Sequence, residues 1–342
     1  MTNKGDKMKT MNNGKYKINW MKNDGEKKYE TEHLSITGKS LDEGTYEGEL
    51  KNGFPHGMGE IKFDRGTSYK GEFKDGLPNG LGKEKYRNGS VYSGQFKDGK
   101  RNNYGIMIFY DGSRYEGEWD DGWANGTGTY MKHDGTIIDG DFEISQSVTK
   151  HSFRTKIFGF GNIIFPNLDN YYGNWAVKGP GCSEKREFAT ATISTKSQKS
   201  LENILPHGYG IYNFANGGRY EGDYNLGKFH GQGIYTSKNG SFFEGQFKDG
   251  KRHGTGYLKY QYGGTYQGEF AIGWRSGHGW SYDYCDDLKE WFDYSGAHKD
   301  GYKHGLGILT IRKKDFNVIY DKDKIAVKSP VMRNTTFNGS DL

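Results

Sequence analysis

Five of the ten histidines, His56, His207, His230, His253 and His304, stand at the same place before a recurring glycine. A row of imidazoles could ligate a metal or serve as general bases. Either task needs one unique geometry, and this position recurs along the chain, with Asn79 taking it in another copy. The reading is a turn residue that hydrogen-bonds locally. The recurring carboxylates Glu47, Glu116 and Glu221 could suggest hydrolysis by paired acids. Their repetition makes them cross-strand partners for lysines on a polar face instead. No G-x-x-x-x-G-K-[ST] cradle for phosphate occurs, and the paired glycines lack the strand–helix setting of a dinucleotide site. Cys182 and Cys285 have no nucleophile motif around them and form no disulfide framework or ligand set. The expectation is a chain without catalytic residues, metal or cofactor: not an enzyme.

Composition narrows the class of fold that these residues sit on. The chain has 342 residues with 54 Gly, 6 Pro, 26 Tyr and 20 Phe, and only 32% apolar residues. So many rings argue against disorder, and so few aliphatic residues argue against a large α/β enzyme with buried parallel strands. No stretch approaches the ~18 apolar residues of a membrane-spanning helix. The N-terminus has no apolar core of a secretory signal, and the cysteine usage suits a reducing compartment. Residues 1–45 and 311–342 together hold the whole net charge of +5, which leaves 46–310 neutral. Nucleic acid is therefore not an expected partner, because it would need a basic stripe. Acidic phospholipid remains conceivable through the tails, RKK at 312–314 above all, and is not favoured.

The chain is built on a 23-residue repeat. YEGELKNGFPHGMGEIKFDRGTS from Tyr46 is followed by YKGEFKDGLPNGLGKEKYRNGSV from Tyr69, and further units start at Tyr92, Tyr115, Ile138, Tyr171, Tyr220, Phe243, Tyr266 and Tyr294. Ten units close the count once 10, 26 and 5 extra residues are assigned to the units from Ile138, Tyr171 and Tyr266. The opening ring is followed two residues on by glycine, as in Gly48, Gly71, Gly94, Gly117, Gly222, Gly245 and Gly268. A glycine pair comes later, as in Gly57 and Gly59, Gly231 and Gly233, or Gly254 and Gly256.

Each unit reads as a hairpin. Tyr46, Gly48 and Leu50 share one strand face, with Glu47 and Glu49 on the other. Asn52-Gly53, Asp75-Gly76, Asp98-Gly99 and Asp249-Gly250 suit a tight turn with positive φ. The return strand places Gly57, Gly59, Ile61 and Phe63 on the ring face and Met58, Glu60 and Lys62 opposite. A second glycine turn follows at Gly66, Gly89, Gly112, Gly135 and Gly240. Glycine weakens a strand, so its recurrence on the ring face predicts that a neighbouring ring lies flat against bare backbone.

These marks, Y-E-G-E-[FLW], the K-[DN]-G turn, H-G-x-G and D-G-S, with KDGKRHGTG at 248–256, resemble the MORN repeat. The resemblance covers about four-fifths of the chain. It implies an all-β fold: an elongated, single-layer antiparallel sheet of successive hairpins, in a solenoid-like array. It also implies scaffolding or attachment, often in cilia and other cytoskeletal assemblies. The organisation expected is an N-terminal extension or cap at 1–45, a repeat array at 46–317 and a C-terminal tail at 318–342. The array should bend at its irregular middle repeats. FNVIYDKDKIAV in the tail has strand character and reads either as a strand on the last hairpin or as a disordered end.

Binding is expected where the repeat breaks or where rings are exposed. The insertion at about 178–205 offers Lys185, Arg186 and Phe188, and the arms offer Trp119, Trp123, Trp274 and Trp280. Tyr130 and Trp291 belong to the same class. The partners implied are other proteins of a multi-subunit cytoskeletal complex in the cytoplasm. A ciliary or flagellar axoneme, with its radial spoke head, is the concrete form of that expectation. A lipid tether or a regulatory subunit that positions a separate enzyme are the alternatives.

Overall fold

A computed structural model describes residues 9–11, 15–19, 43–149, 152–177, 204–285 and 289–330. Every regular element among them is a β-strand. The chain divides into two compact units, Met1–Leu168 with Asn174–Leu205, and Asp169–Gly173 with Pro206–Leu342. In the first, each strand from Lys9–Met11 to Ser152–Ile164 pairs antiparallel with the next in sequence. In the second, the same holds from Ile204–Asn213 to Lys324–Pro330.

The unit from Tyr69 shows how the sequence produces a hairpin. Strands Ser68–Lys74 and Leu77–Lys85 are joined by Asp75 and Gly76, both at positive φ (49° and 90°). Two such residues in succession make the turn whose twist matches that of the flanking strands. Gly71 pairs with Gly82 and Phe73 with Pro78, so Glu72 alone faces Asn79, Gly80 and Leu81. This bulge recurs, and it corrects the expected alternation of the return strand. Gly57, in the first unit's bulge, has φ 66°, and a Cβ there would lie 2.3 Å from a Glu49 carboxylate oxygen rather than on the ring face.

Beyond the bulge the ring prediction holds. A Cβ on Gly82 would fall 2.3 Å from the Tyr69 hydroxyl oxygen, and Gly59, Gly105 and Gly128 stand in the same relation to Tyr46, Tyr92 and Tyr115. The hydroxyl passes over the glycine pair and donates to the backbone carbonyl three residues on, Tyr69 to Glu72 at 2.9 Å and Tyr46 to Glu49 at 2.8 Å. Between successive tyrosines stands the fifth residue of each unit. Tyr46, Phe73, Tyr69, Phe96 and Tyr92 meet edge to face in turn, with centroids 4.9–5.3 Å apart. Such pairs contribute ~0.5–1.5 kcal/mol each beyond their buried area, so a sheet one layer thick builds its core from rings.

Neighbouring units also lock through their turns. The Gly76 N–H donates to the Pro55 carbonyl at 2.9 Å, and Gly99 repeats this on Pro78. Where arginine replaces proline the bond is returned: Arg101 donates to the Gly122 carbonyl at 2.6 Å and Arg252 to Gly273 at 2.8 Å. The Arg101 guanidinium lies 4.3 Å over the Trp119 ring, a favourable cation–π position. The D-G-S turns close on themselves, the Asp111 carboxylate accepting the Ser113 N–H at 2.9 Å.

The irregular units extend this plan. From Ile138, the ten extra residues lengthen the hairpin to Ile137–Thr149 and Ser152–Ile164, paired in unbroken register with Gly140 opposite Gly161. The bulge is lost there, and Gly159 makes room for the buried Trp175 ring instead. The five extra residues after Gly279 lengthen Trp274–Cys285 and Glu290–Lys299 until Cys285 faces Glu290. At the C-terminus the strand alternative for the tail is the one observed: Lys314–Asp321 pairs with Tyr302–Ile311, and Lys324–Pro330 with Lys314–Asp321. Tyr320 takes the fifth-residue place, 5.1 Å from Tyr294. Sheet pairing therefore runs past residue 317. At the other end Lys15–Asn19 covers Glu43–Lys51.

Candidate interaction surface

Because the rings occupy one face, the opposite face of each sheet carries the side chains free to meet a partner. It is built from the second, fourth, thirteenth and fifteenth residues of each unit. In most units the fourth is a carboxylate, with a structural task that the sequence reading missed. Glu49, Glu72, Glu118, Asp223 and Glu269 accept the backbone N–H of Met58, Leu81, Thr127, Gln232 and His278 at 2.9–3.1 Å. Each thereby satisfies a donor that the bulge leaves without a ladder partner. The signal was present as the acid between the glycine and the fifth-residue ring, but only the bulge gives it meaning.

Of the second-position acids, Glu47 stands opposite Lys15 across the sheet, whereas Glu116 and Glu221 pair with tyrosine and with an arginine of their own strand. Glu116 accepts the Tyr104 hydroxyl at 2.8 Å and meets Arg114, and Glu221 accepts the Tyr209 hydroxyl at 2.6 Å with Arg219 at 2.6 Å. Hydrogen bonding by the tyrosine, then the arginine, holds both carboxyls below the usual carboxylate range. Two of the histidines serve turns as expected, whereas His230 Nδ1 is buried and has no hydrogen-bond partner among the described residues. His56 Nδ1 lies 3.5 Å from the Asp75 N–H and His207 Nδ1 accepts that of Leu226 at 3.4 Å.

The ring candidates separate. Trp119 is a core residue, not a contact: it takes the place of Phe73 and Phe96, wedged between Tyr92 and Tyr115, with its indole N–H donating to the Gly105 carbonyl at 3.2 Å. Tyr130 is likewise buried. Trp123 is half-buried beside its turn, and Trp291 stacks on Tyr282 at 4.8 Å. Trp274 and Trp280 are 61% and 40% exposed. Trp280 stands on the open face of the second unit, near a groove of about 720 Å³ lined by His278, Leu306, Ile308 and Ile319. Lys185, Arg186 and Phe188 lie outside the described residues.

Two titratable groups are buried in the ring rows. Glu84 is fully buried, opposite Tyr69 and Tyr92, in the slot of Ile61 and Met107. Burial pushes its carboxyl up to about 7 against the pull of the Tyr86 hydroxyl and Arg101. A carboxyl so placed could exchange a proton near neutrality, but rings seal it from any substrate. In the second unit His298 takes a fifth-residue place between Tyr266 and Tyr294. Burial, then Arg275, lowers it to about 4.

The MORN repeat family model matches residues 46–68, 69–91, 92–114, 115–137, 201–219, 220–242, 243–265, 266–283 and 294–315. The stretch that it leaves unmatched between 138 and 200 contains the lengthened hairpin, whose register and glycine pair still follow the repeat. Comparison with curated proteins gives no match. Nine matched repeats span more than half of the chain: the chain belongs to the MORN-repeat family.

Proposed function

We propose that this protein is a non-enzymatic scaffold that holds other proteins together in a cytoskeletal assembly. The axoneme of a cilium or flagellum is the assembly that we favour, with the radial spoke head as its most specific form. Membership of the family suggests a role in binding proteins or membranes, and the face that carries the acids favours proteins. One observation carries the reading: the core rings, and the glycines that they cover, lie on one face of each sheet. The other face is left open over successive repeats, where many weak contacts can add as avidity. Its glutamates disfavour anionic lipid, so tethering to a membrane is the weaker reading.

Detergent extraction of native cells, with immunodetection in soluble, membrane and cytoskeletal fractions, tests this. Retention in the detergent-resistant skeleton, and in isolated axonemes, is the expected result. Release together with lipid would overturn the scaffold. Retention outside axonemes would overturn the axonemal part alone.

A further inference from the structure

We propose that the open face of the third to fifth repeats docks a cationic, amphipathic segment of another protein. The feature is a row of side chains in cross-strand register: Val91, Ile108, Arg114, Met131, Ile137 and Ile164. Ile108, Met131 and Ile164 are 48%, 43% and 43% exposed, and Ile106 stands beside them on the same face. The fold does not require apolar residues here. The same row begins with Lys62, Ser68 and Lys85 in the earlier repeats, and in the second unit it reads Asn213, Arg219, Thr236, Phe242, Lys259, Thr265 and Tyr282, with no aliphatic residue. Exposed aliphatic side chains clustered at a position that the earlier repeats fill with polar residues mark an interaction site.

The neighbouring rows fix the chemistry of the occupant. Glu116 and Asp139 lie in the next row, and Glu118 and Asp141 in the one after it. Asp139 and Asp141 take hydroxyls from Thr129 and Thr127 at 2.7 and 3.1 Å, and among the described residues neither forms an ion pair with lysine or arginine. An aliphatic stripe bordered by acids, of which Asp139 and Asp141 have no cationic partner among the described residues, calls for a segment with apolar side chains on one side and lysine or arginine on the other. The same carboxylates repel an anionic membrane. From Val91 to Ile164 the stripe crosses six strands, which is about 24 Å at the usual strand spacing. That matches roughly seven residues of extended chain or 16 of helix.

The proposal rests on the scaffold reading in taking the occupant to be a protein. Its test uses the full chain and two fluorescent 16-residue probes, a Leu/Lys amphipathic peptide and its Leu/Glu counterpart, in anisotropy titrations. The Leu/Lys peptide should bind at least tenfold more tightly than the Leu/Glu one. Its affinity should fall at least tenfold in Ile108→Lys/Met131→Lys and in Asp139→Asn/Asp141→Asn, with melting temperatures unchanged. Equal binding of both probes, or unaltered binding in both variants, overturns the site. So does a dimer that the Ile108→Lys change dissociates in sedimentation, which would make a second copy the occupant. Phosphatidylserine vesicles that lose binding through the same change would make it a lipid surface and equally overturn the proposal. Wild-type protein that stays in the detergent-resistant fraction while the variants bind the probe normally refutes this surface and leaves the scaffold standing.

Discussion

Replacing Gly233 by alanine isolates the contact on which the ring core depends. The added Cβ would lie 2.4 Å from the Tyr220 hydroxyl oxygen and 2.6 and 2.7 Å from ring carbons. The ring cannot swing aside: it is fully buried, stacked 3.7 Å from Phe229, and held edge to face by Tyr224 and Phe247 at 5.1 Å. Displacing it weakens two edge contacts of ~0.5–1.5 kcal/mol each and the hydroxyl bond to Asp223, worth ~1 kcal/mol. Alanine regains ~0.5–1 kcal/mol of chain entropy over glycine. The net loss is about 1–3 kcal/mol, a fall in melting temperature on the order of 3–10 °C for a unit of this size. Guanidinium denaturation followed by circular dichroism would measure it, alone and in a Tyr220→Ala background. There the loss should vanish, since no ring remains to be displaced. Gly240→Ala is the control: open space surrounds its Cβ, and its φ of +85° should cost ~1–2 kcal/mol whatever residue 220 is. A loss at Gly233 below about 0.5 kcal/mol, or one that persists without Tyr220, would refute the ring-on-glycine account.

Ile272 holds φ 52° in a turn where aspartate or asparagine usually stands, and Ile272→Asn should stabilise the second unit by about 1 kcal/mol; a lower denaturation midpoint would contradict this. Glu84, raised from 4.5 to about 7, keeps its proton in the folded chain after the unfolded chain has released it. The first unit should therefore lose stability as pH rises from 4.5 to 7, and Glu84→Met should abolish that slope in urea midpoints taken across the range. His298, lowered from 6.5 to about 4, acts in the opposite sense. The second unit should weaken as pH falls from 6.5 towards 4, and His298→Phe should remove the dependence in hydrogen exchange resolved by unit.

Much of this fold could be read from spacing because each unit states it again. Tyr, Gly and Asn-Gly at fixed offsets give strand, bare backbone and turn before any coordinate is known, and the ring-over-glycine contact follows from Tyr46, Gly48 and Gly59 sharing one face, with Gly59 opposite Gly48. The bulge could not be read. Strict alternation placed Gly57 with Gly59, and only the pairing of three residues against Glu49 turns Gly57 away and gives the glutamate its backbone donor. Trp119 was misplaced for a related reason: a tryptophan looks like an exposed anchor unless its slot is compared with Phe73 and Phe96. The stripe around Ile108 and Met131 escaped notice because it joins residues from three hairpins, and cross-strand neighbours are invisible along the chain.

The turn-to-turn bonds bear on how such a sheet carries load. Within a unit, every ladder hydrogen bond points along the direction in which hairpins are added. Tension in that direction opens a single strand boundary at a time, but each boundary between repeats is fastened at its turn edge by bonds such as Gly99 to Pro78 and Arg101 to Gly122. Pulling along the strands instead loads a whole ladder in shear. The material is thus anisotropic, stiff against sliding and yielding by peeling, and the proline or arginine before the histidine slot sets where a tear would stop.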